Sequence, residues 1–312
     1  MAKTLCGVDV STARLDARVW PQGPELSVNN SAEGVARLEA FCRAHGVELV
    51  AMEATGGLER LAFRLLSAAG VGCAVLNPRA VRRFAEAMGY LEKTDRIDAG
   101  VIAWYAHTKG VTAQEPPGEA QDRLQALVTR LGQLTALKVS QQNQRRLVRD
   151  EGALASIDEL LRLLAKQIRA FELQIAELVK TDPLWREFNA AFRQIKGVAD
   201  RTVARILAEM PEIGLLDAKQ AAKLAGLAPL ANDSGKHHGR RSVRGGRAGV
   251  RAILYVIAGV AARFDPDFQI IHKRLSDAGK PRKVIRIAIA RKILVRLNAK
   301  ARDLRRQLPA HA

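Results

Sequence analysis

The run KTDRIDA, Lys93 to Ala99, decides how the N-terminal part of this 312-residue chain is read. Asp95 and Asp98 stand three residues apart at what reads as a helix start, a spacing that sets both carboxylates on one helical face. Upstream, Glu53 closes the apolar run ELVAME and Asp9 closes TLCGVD, each where a strand should end. Both acids have apolar neighbours, in GVDVST and AMEATGG, and burying a lone charge there costs roughly several kcal/mol unless something cationic meets it. Four carboxylates gathered this way suggest a Mg²⁺ or Mn²⁺ site that handles phosphodiesters. Hard cations take oxygen ligands, and a metal pair can clamp attacking and leaving oxygens. The bland alternative is structural: acids are common at strand ends and helix starts, and Asp95 after Thr94 has the form of an N-terminal cap.

Working outward, strand and helix alternate from Thr4 to about Lys109: TLCGVDV, RLDARVW, ELSVN, a helix near Ala32 to His45, ELVAME, a helix near Leu58 to Ala69, and VGCAVLN. The pattern predicts an α/β domain over residues 1–112, a mixed sheet whose first two strands form a hairpin. Asn77-Pro78 should break the chain, with helices following at Ala80 to Ala87 and Asp95 to His107. The acids would then meet at one edge of the sheet, where open α/β folds place their sites.

Pro116, Pro117 and Gly118 make a linker, after which heptads begin. Leu124, Leu127, Leu131 and Leu134 form one set; Leu154, Ile157, Leu161, Leu164, Ile168, Phe171, Ile175 and Leu178 form a second. Their three-four alternation predicts a coiled-coil helical hairpin over residues 119–182, turning at Asp150-Glu151-Gly152. It is either self-contained or an oligomerisation element. Pairing between subunits is the favoured reading, since a lone hairpin leaves apolar surface uncovered. Residues 185–312 read as an all-α C-terminal domain. It opens with QIKGVADRTVARILAEM, which has the form of a helix-hairpin-helix, and ends in a basic helix from about Pro281 to Arg306.

The net charge of +18 signals a polyanionic partner. Between Lys236 and Arg306 twenty Lys and Arg face four acids. Cys6, Cys42 and Cys73 form no CxxC pair, so they predict buried thiols in a reducing cytosol rather than disulfides or a zinc site. The N-terminus lacks the apolar core of a signal peptide, and AILYVIAGVAA is too short to span a bilayer, so the expected location is cytoplasmic.

The C-terminal chemistry centres on Asp233-Ser234-Gly235, in a polar loop followed by Lys236, Arg240, Arg241, Arg244, Arg247 and Arg251. A serine beside glycine is usually a turn or cap residue. A serine that attacks phosphate, however, needs guanidinium groups to neutralise the developing charge, and this segment supplies them. Ser242 has no turn glycine beside it and reads as a phosphate or turn contact; His237 and His238 lack companion ligands and read as solvated or phosphate-facing. Lys280, Arg282 and Lys283 open the basic helix, whose apolar stripe of Val284, Ile285, Ala288, Ile289, Ile293 and Leu297 should pack inward while the charge meets phosphate.

Taken in order, GVDVSTARLD, MEATGG, the LNP turn, KTDRIDA, GVADRTVARILAE, LAGLAP, DSG and GGRAGVRAILY resemble the DEDD transposases of bacterial insertion sequences of the one-ten family, which are bridge-RNA-guided serine recombinases. The resemblance covers nearly the whole chain. It implies an RNase H/RuvC-resolvase type of N-terminal domain with Asp9, Glu53, Asp95 and Asp98 as the acidic tetrad, and Ser234 as a nucleophile that forms a phosphoserine intermediate. It further implies donor and target DNA, a noncoding guide (bridge) RNA, and a homo-oligomer, a dimer becoming a tetramer when active, in which acids and serine come from different subunits. A junction endonuclease with water as nucleophile is the main rival. An actin-like ATPase would need a second glycine-rich phosphate loop, which the sequence lacks, and a non-enzymatic scaffold leaves Asp9 and Glu53 without a purpose.

Overall fold

The computed structural model describes residues 4–90, 95–231, 233–235, 237–239 and 241–307, with backbone alone for 95–97, 237 and 238. The chain divides into two compact units, residues 1–117 and 118–312. The hairpin and the C-terminal domain expected as separate segments therefore belong to one unit.

The first unit is a mixed five-stranded sheet. Its strands are β1 (Leu5–Val10), β2 (Arg14–Val19), β3 (Glu25–Asn29), β4 (Leu49–Glu53) and β5 (Gly72–Leu76), in the order β3-β2-β1-β4-β5. β1, β2 and β3 form an antiparallel meander, while β4 and β5 run parallel to β1. The helices are α1 (Ala32–Ala44), α2 (Arg60–Ala68), α3 (Pro78–Ala87) and α4 (Asp95–Lys109). Pro78 does not interrupt a helix; it occupies the first turn of α3, with Asn77 as the cap that accepts from Arg79 N. That is a position where a missing N–H costs nothing. β1 and β4, in the middle of the sheet, carry near-continuous apolar runs because both faces are covered. Cys6, Cys42 and Cys73 are buried free thiols, and burial pushes Cys73 up to about 11.

The second unit is almost wholly helical: α5 (Glu119–Arg145), α6 (Glu151–Thr181), α7 (Pro183–Phe192), α8 (Asp200–Glu209), α9 (Ala218–Leu224), α10 (Ala248–Phe264), α11 (Pro266–Asp277) and α12 (Arg282–Gln307). α5 and α6 form the expected antiparallel hairpin, with the connection over residues 146–150 instead of 150–152: Asp150 caps α6 by accepting from Ala153 N, and Glu151 and Gly152 lie inside the helix. One continuous core joins the base of this hairpin to α7, α8, α10 and α12 through Leu124, Ile168, Phe188, Ile206, Leu254 and Ile293. α12 runs through the centre of that core. Ile285, Ile289, Ile293 and Leu297 bury their side chains as expected, whereas Val284 remains exposed. Between α9 and α10, where a loop was expected, the chain forms two short antiparallel ribbons. β6 (Pro229–Leu230) pairs with β9 (Ser242–Val243), and β7 (Asp233–Ser234) pairs with β8 (His237–His238).

Candidate catalytic and nucleic-acid sites

The fold brings three of the four expected acids to the same end of the sheet, beyond the C-terminal ends of its interior strands. Val8 and Met52 are the last paired residues of the parallel β1–β4 ladder, and Asp9 and Glu53 come next on strands about 4.8 Å apart. Helix α4 delivers Asp98. It lies directly on β1 because Gly7 has no side chain: a Cβ there would come 2.0 Å from Ala99 O and 2.6 Å from Ala103 N. The direction of α4 follows from its other end, where Trp104 stacks on Trp20 with ring centroids 5.7 Å apart and Trp20 N donates to Leu5 O. The C-terminal half of α4 thus covers the start of β1, and its first turn, with Asp98, points toward the Asp9 end.

Asp9, Glu53 and Asp98 are half-buried, not sealed in the core. Among the described residues no three His, Cys, Asp or Glu side chains are grouped closely enough to ligate one ion. The Asp95 carboxylate lies outside the described residues. The donor chemistry, carboxylate oxygens alone, suits a hard divalent cation and not a thiophilic one.

The acid that is buried in this region is Glu59, only 9% exposed. Its Oε2 accepts from Thr55 N and Gly57 N, both at 2.9 Å, which folds the ATGG turn back onto the start of α2. Gly56 and Gly57 take φ of 71° and 110° in this turn, a region that L side chains rarely adopt. Asn30 ties this turn to the one after Asp9, its Nδ2 donating to Ser11 O at 2.9 Å and Leu58 O at 3.3 Å. Gly7, Glu59 and Asn30 thus fix where Asp9, Glu53 and Asp98 sit. The sequence reading assigned none of them a role. For Gly7 the available signal was a glycine inside an apolar strand, which marks a close backbone approach.

In the second unit Ser234 sits on the outer ribbon next to the turn at Gly235, where φ is 53°, and both are exposed. Asp233 pairs in the ladder with His238, and Ser234 with His237. Ser242 stands on the inner ribbon opposite Leu230. Of the expected phosphate-binding residues, Lys236 and Arg240 lie outside the described residues, and Arg241 and Arg244 are exposed. Two others are engaged within the chain. Arg247 forks onto Glu212, and Arg251 Nη1 donates to Gly245 O at 2.5 Å. Lys280, Arg282 and Lys283 are exposed at the start of α12. Lys280 and Arg282 line an open groove of about 590 Å³ together with His272, Ser276 and Arg286.

Residues 6–150 match the DEDD transposase family of IS110, and residues 189–273 match the transposase family IS116/IS110/IS902. The chain belongs to the IS110 family of DEDD transposases. It is thereby a DNA transposase, an enzyme that cuts and rejoins DNA strands. The pilin gene-inverting proteins of Moraxella bovis and Moraxella lacunata are each 26% identical to this transposase over 94% of its chain and 94% of their own. An uncharacterized 43.6 kDa protein of insertion element IS110 from Streptomyces coelicolor is 29% identical over 47% of this chain and 36% of its own. The solved structure of Thermus thermophilus RuvC is similar over 36% of this chain and 99% of its own, at 17% identity and a TM-score of 0.27.

Proposed function

We propose that this transposase is an RNA-guided recombinase that cuts DNA by attack of the Ser234 hydroxyl on a phosphodiester, assisted by a divalent cation, Mg²⁺ or Mn²⁺, held by Asp9, Glu53, Asp95 and Asp98. The observation that carries the reading is the setting of Ser234: an exposed hydroxyl beside a glycine turn, on a ribbon whose return strand leads into Arg241 and Arg244. In the attack the Oγ–P bond forms, the bond from phosphorus to the leaving nucleoside oxygen breaks, the hydroxyl proton passes to a base, and the leaving oxygen is protonated. The reverse reaction with a different strand end rejoins the DNA, so no external energy source is needed. Arg241 and Arg244 can neutralise charge on the phosphate as it develops. The cation would supply Lewis-acid stabilisation of the same charge.

Support for an RNase H/RuvC-resolvase type of fold comes from the central parallel pair β1–β4, the antiparallel meander beside it, and the acids on β1, β4 and α4. Support for nucleic-acid partners, donor and target DNA with a guide RNA, comes from charge. Residues 1–117 hold thirteen Lys and Arg against thirteen Asp and Glu, so the whole excess of +18 lies in residues 118–312. The exposed cations at Arg241, Arg244, Lys280, Arg282 and Lys283 are the phosphate contacts of this reading. Arg247 and Arg251 build the site more than they touch the ligand. Pairing through the hairpin gives the homo-oligomer, a dimer or, in the active assembly, a tetramer. The buried layer between α5 and α6 ends at Leu134 and Leu164, and beyond it Leu137 and Leu163 are exposed while Ile157 and Leu161 are half-covered.

The test is denaturing electrophoresis of the protein with end-labelled DNA taken from the regions flanking its gene. A covalent adduct is expected in the wild type and absent in Ser234→Ala, which should still bind DNA. Asp98→Asn, or EDTA treatment, should abolish cleavage. An adduct that persists in Ser234→Ala or maps to Ser242 refutes the serine assignment, and cleavage without any adduct favours a junction endonuclease with water as nucleophile.

A further inference from the structure

Glu212 is not among the residues given a role above. It lies in the turn after α8, and its carboxylate holds the guanidinium of Arg247 by two bonds, Nη1 to Oε2 at 2.5 Å and Nη2 to Oε1 at 2.6 Å. Arg247 is the N-cap of α10, the point at which the chain leaves the serine-bearing ribbons and enters the helical core.

Those ribbons are short, with two residue pairs in β6–β9 and two in β7–β8. An isolated ribbon of this kind has little stability of its own, so the position of Ser234 depends on how the base is held. At the base the two strands are cinched together. A Cβ on Gly246 would lie 2.3 Å from Gly226 N, and one on Gly226 would lie 2.3 Å from Gly245 O. Arg247 N donates to Leu224 O at 2.8 Å, and Arg251 reaches Gly245 O. These contacts bind the ribbon's ends to each other and to the neighbouring end of α9.

The fork to Glu212 ties the base to a different part of the fold. The turn that bears Glu212 is clamped by α12: Asn298, 1% exposed, accepts from Gly214 N and donates to Leu216 O, both at 2.8 Å. Arg302 donates to Leu216 O at 2.6 Å, and Arg305 donates to Ile213 O and Pro211 O, both at 3.0 Å. A continuous line of contacts therefore runs from the central helix through the turn and Glu212 to Arg247. Bidentate carboxylate–guanidinium pairs fix orientation as well as distance, which a single bond does not.

We propose that Glu212, acting through Arg247, is a positioning residue for Ser234: it anchors the base of the ribbon to the helical core and so presents the hydroxyl in one place. The inference rests on the reading of Ser234 as the nucleophile.

The experiment compares Glu212→Ala, Glu212→Gln, Arg247→Lys and the reversed pair Glu212→Arg with Arg247→Glu, all in the full chain, with Ser234→Ala alongside. Three quantities are measured: amide hydrogen exchange, strand cleavage of a supercoiled plasmid carrying the gene's flanking DNA, and affinity for a fluorescent random-sequence duplex. In Glu212→Ala, exchange across residues 226–247 should speed up far more than that of α12, with only a modest fall in melting temperature from loss of the ion pair. Cleavage should fall by about 100-fold, as for a displaced reacting group, with duplex affinity unchanged. Glu212→Gln, which keeps the shape and one acceptor, should fall less, and the reversed pair should recover part of the cleavage lost in either single change.

Unaltered exchange over 226–247 in Glu212→Ala overturns the proposal. So does a parallel loss of cleavage and duplex affinity, which would make Arg247 a nucleic-acid contact instead. If Ser234→Ala is inactive while Glu212→Ala cleaves normally, the positioning role alone fails. If Ser234→Ala itself cleaves, the serine reading fails and the positioning role falls with it.

Discussion

At the scale of single residues, Gly7 makes a sharp prediction. A Cβ placed 2.0 Å from Ala99 O cannot be accommodated, so Gly7→Ala must push α4 off β1 and carry Asp98 with it. We expect a loss of about 1–3 kcal/mol in stability, as for other overpacked sites, together with loss of strand cleavage. Gly132→Ala, on α5 with nothing within 4 Å, is the control and should stabilise by about 0.5–1 kcal/mol. Urea unfolding of the two variants decides the matter, because equal effects would show that close approach is not what Gly7 provides. Glu212 yields a prediction in pH. Burial alone would raise its carboxyl, but the Arg247 fork and a backbone bond outweigh it and hold the group below the usual glutamate range. A group lowered by folding contributes stability that is present above its unfolded value, about 4.3, and is lost as pH falls through the lower folded value. The gap in unfolding stability between wild type and Glu212→Gln should thus be flat above that range and close on acidification; a gap that grows on acidification refutes the assignment. The strand-end placement of Asp9 and Glu53 was legible in the sequence because an acid that ends an apolar run stands out. Gly7, Glu59 and Glu212 were not, because a close approach, a pair of accepted N–H bonds and a fork across 35 residues are properties of the folded chain.

At the scale of elements, the hairpin of α5 and α6 has a buried half and an exposed half. Ile168 is buried within the chain, whereas Leu161 lies in the half where apolar side chains are only partly covered. Leu161→Glu with Ile168→Glu should therefore do two things: break the proposed oligomer and cost about 2–5 kcal/mol at Ile168, where a charge meets no partner. Leu161→Glu alone should break the oligomer with little effect on unfolding. Light scattering that still returns the native oligomer would make the hairpin an internal scaffold. Strands β1 to β5 and helices α1 to α4 and α12 were readable to within about two residues, since each carries a full period of apolar spacing, whereas α7 to α11 were not delimited in the sequence. The serine ribbons were not, because strands of two residues are too short to show alternation, and the glycines and arginines around them read as loop. Pro78 has the look of a break in the sequence although it starts a helix; a proline terminates a helix only from within.

At the scale of the whole molecule, two units of similar hydrophobic content differ completely in charge, the first balanced and the second bearing the full excess. Nucleic-acid affinity should therefore fall steeply with salt, by about 0.9 in log K per log salt for each phosphate neutralised on duplex DNA. Arg241→Ala with Arg244→Ala should lower that slope by about 2 and leave unfolding unchanged. Fluorescence anisotropy against a salt series measures it, and an unaltered slope moves the phosphate contacts elsewhere. No helix among the described residues is long and apolar enough to cross a membrane. Charge could be counted from the sequence; which arginines are occupied within the chain could not, and Arg247 is the example. The neutrality of residues 1–117 has a consequence for fidelity. Attraction to random DNA should come from the other unit, where Ser234 also lies, while residues 1–117 add no net pull, so long residence on the wrong sequence does not by itself engage the unit that bears Asp9, Glu53 and Asp98. Because the proposed cleavage needs those acids as well as the serine, such a protein would dwell on a genome without nicking it, and commitment to cut would come from a recognition event that mere proximity does not supply.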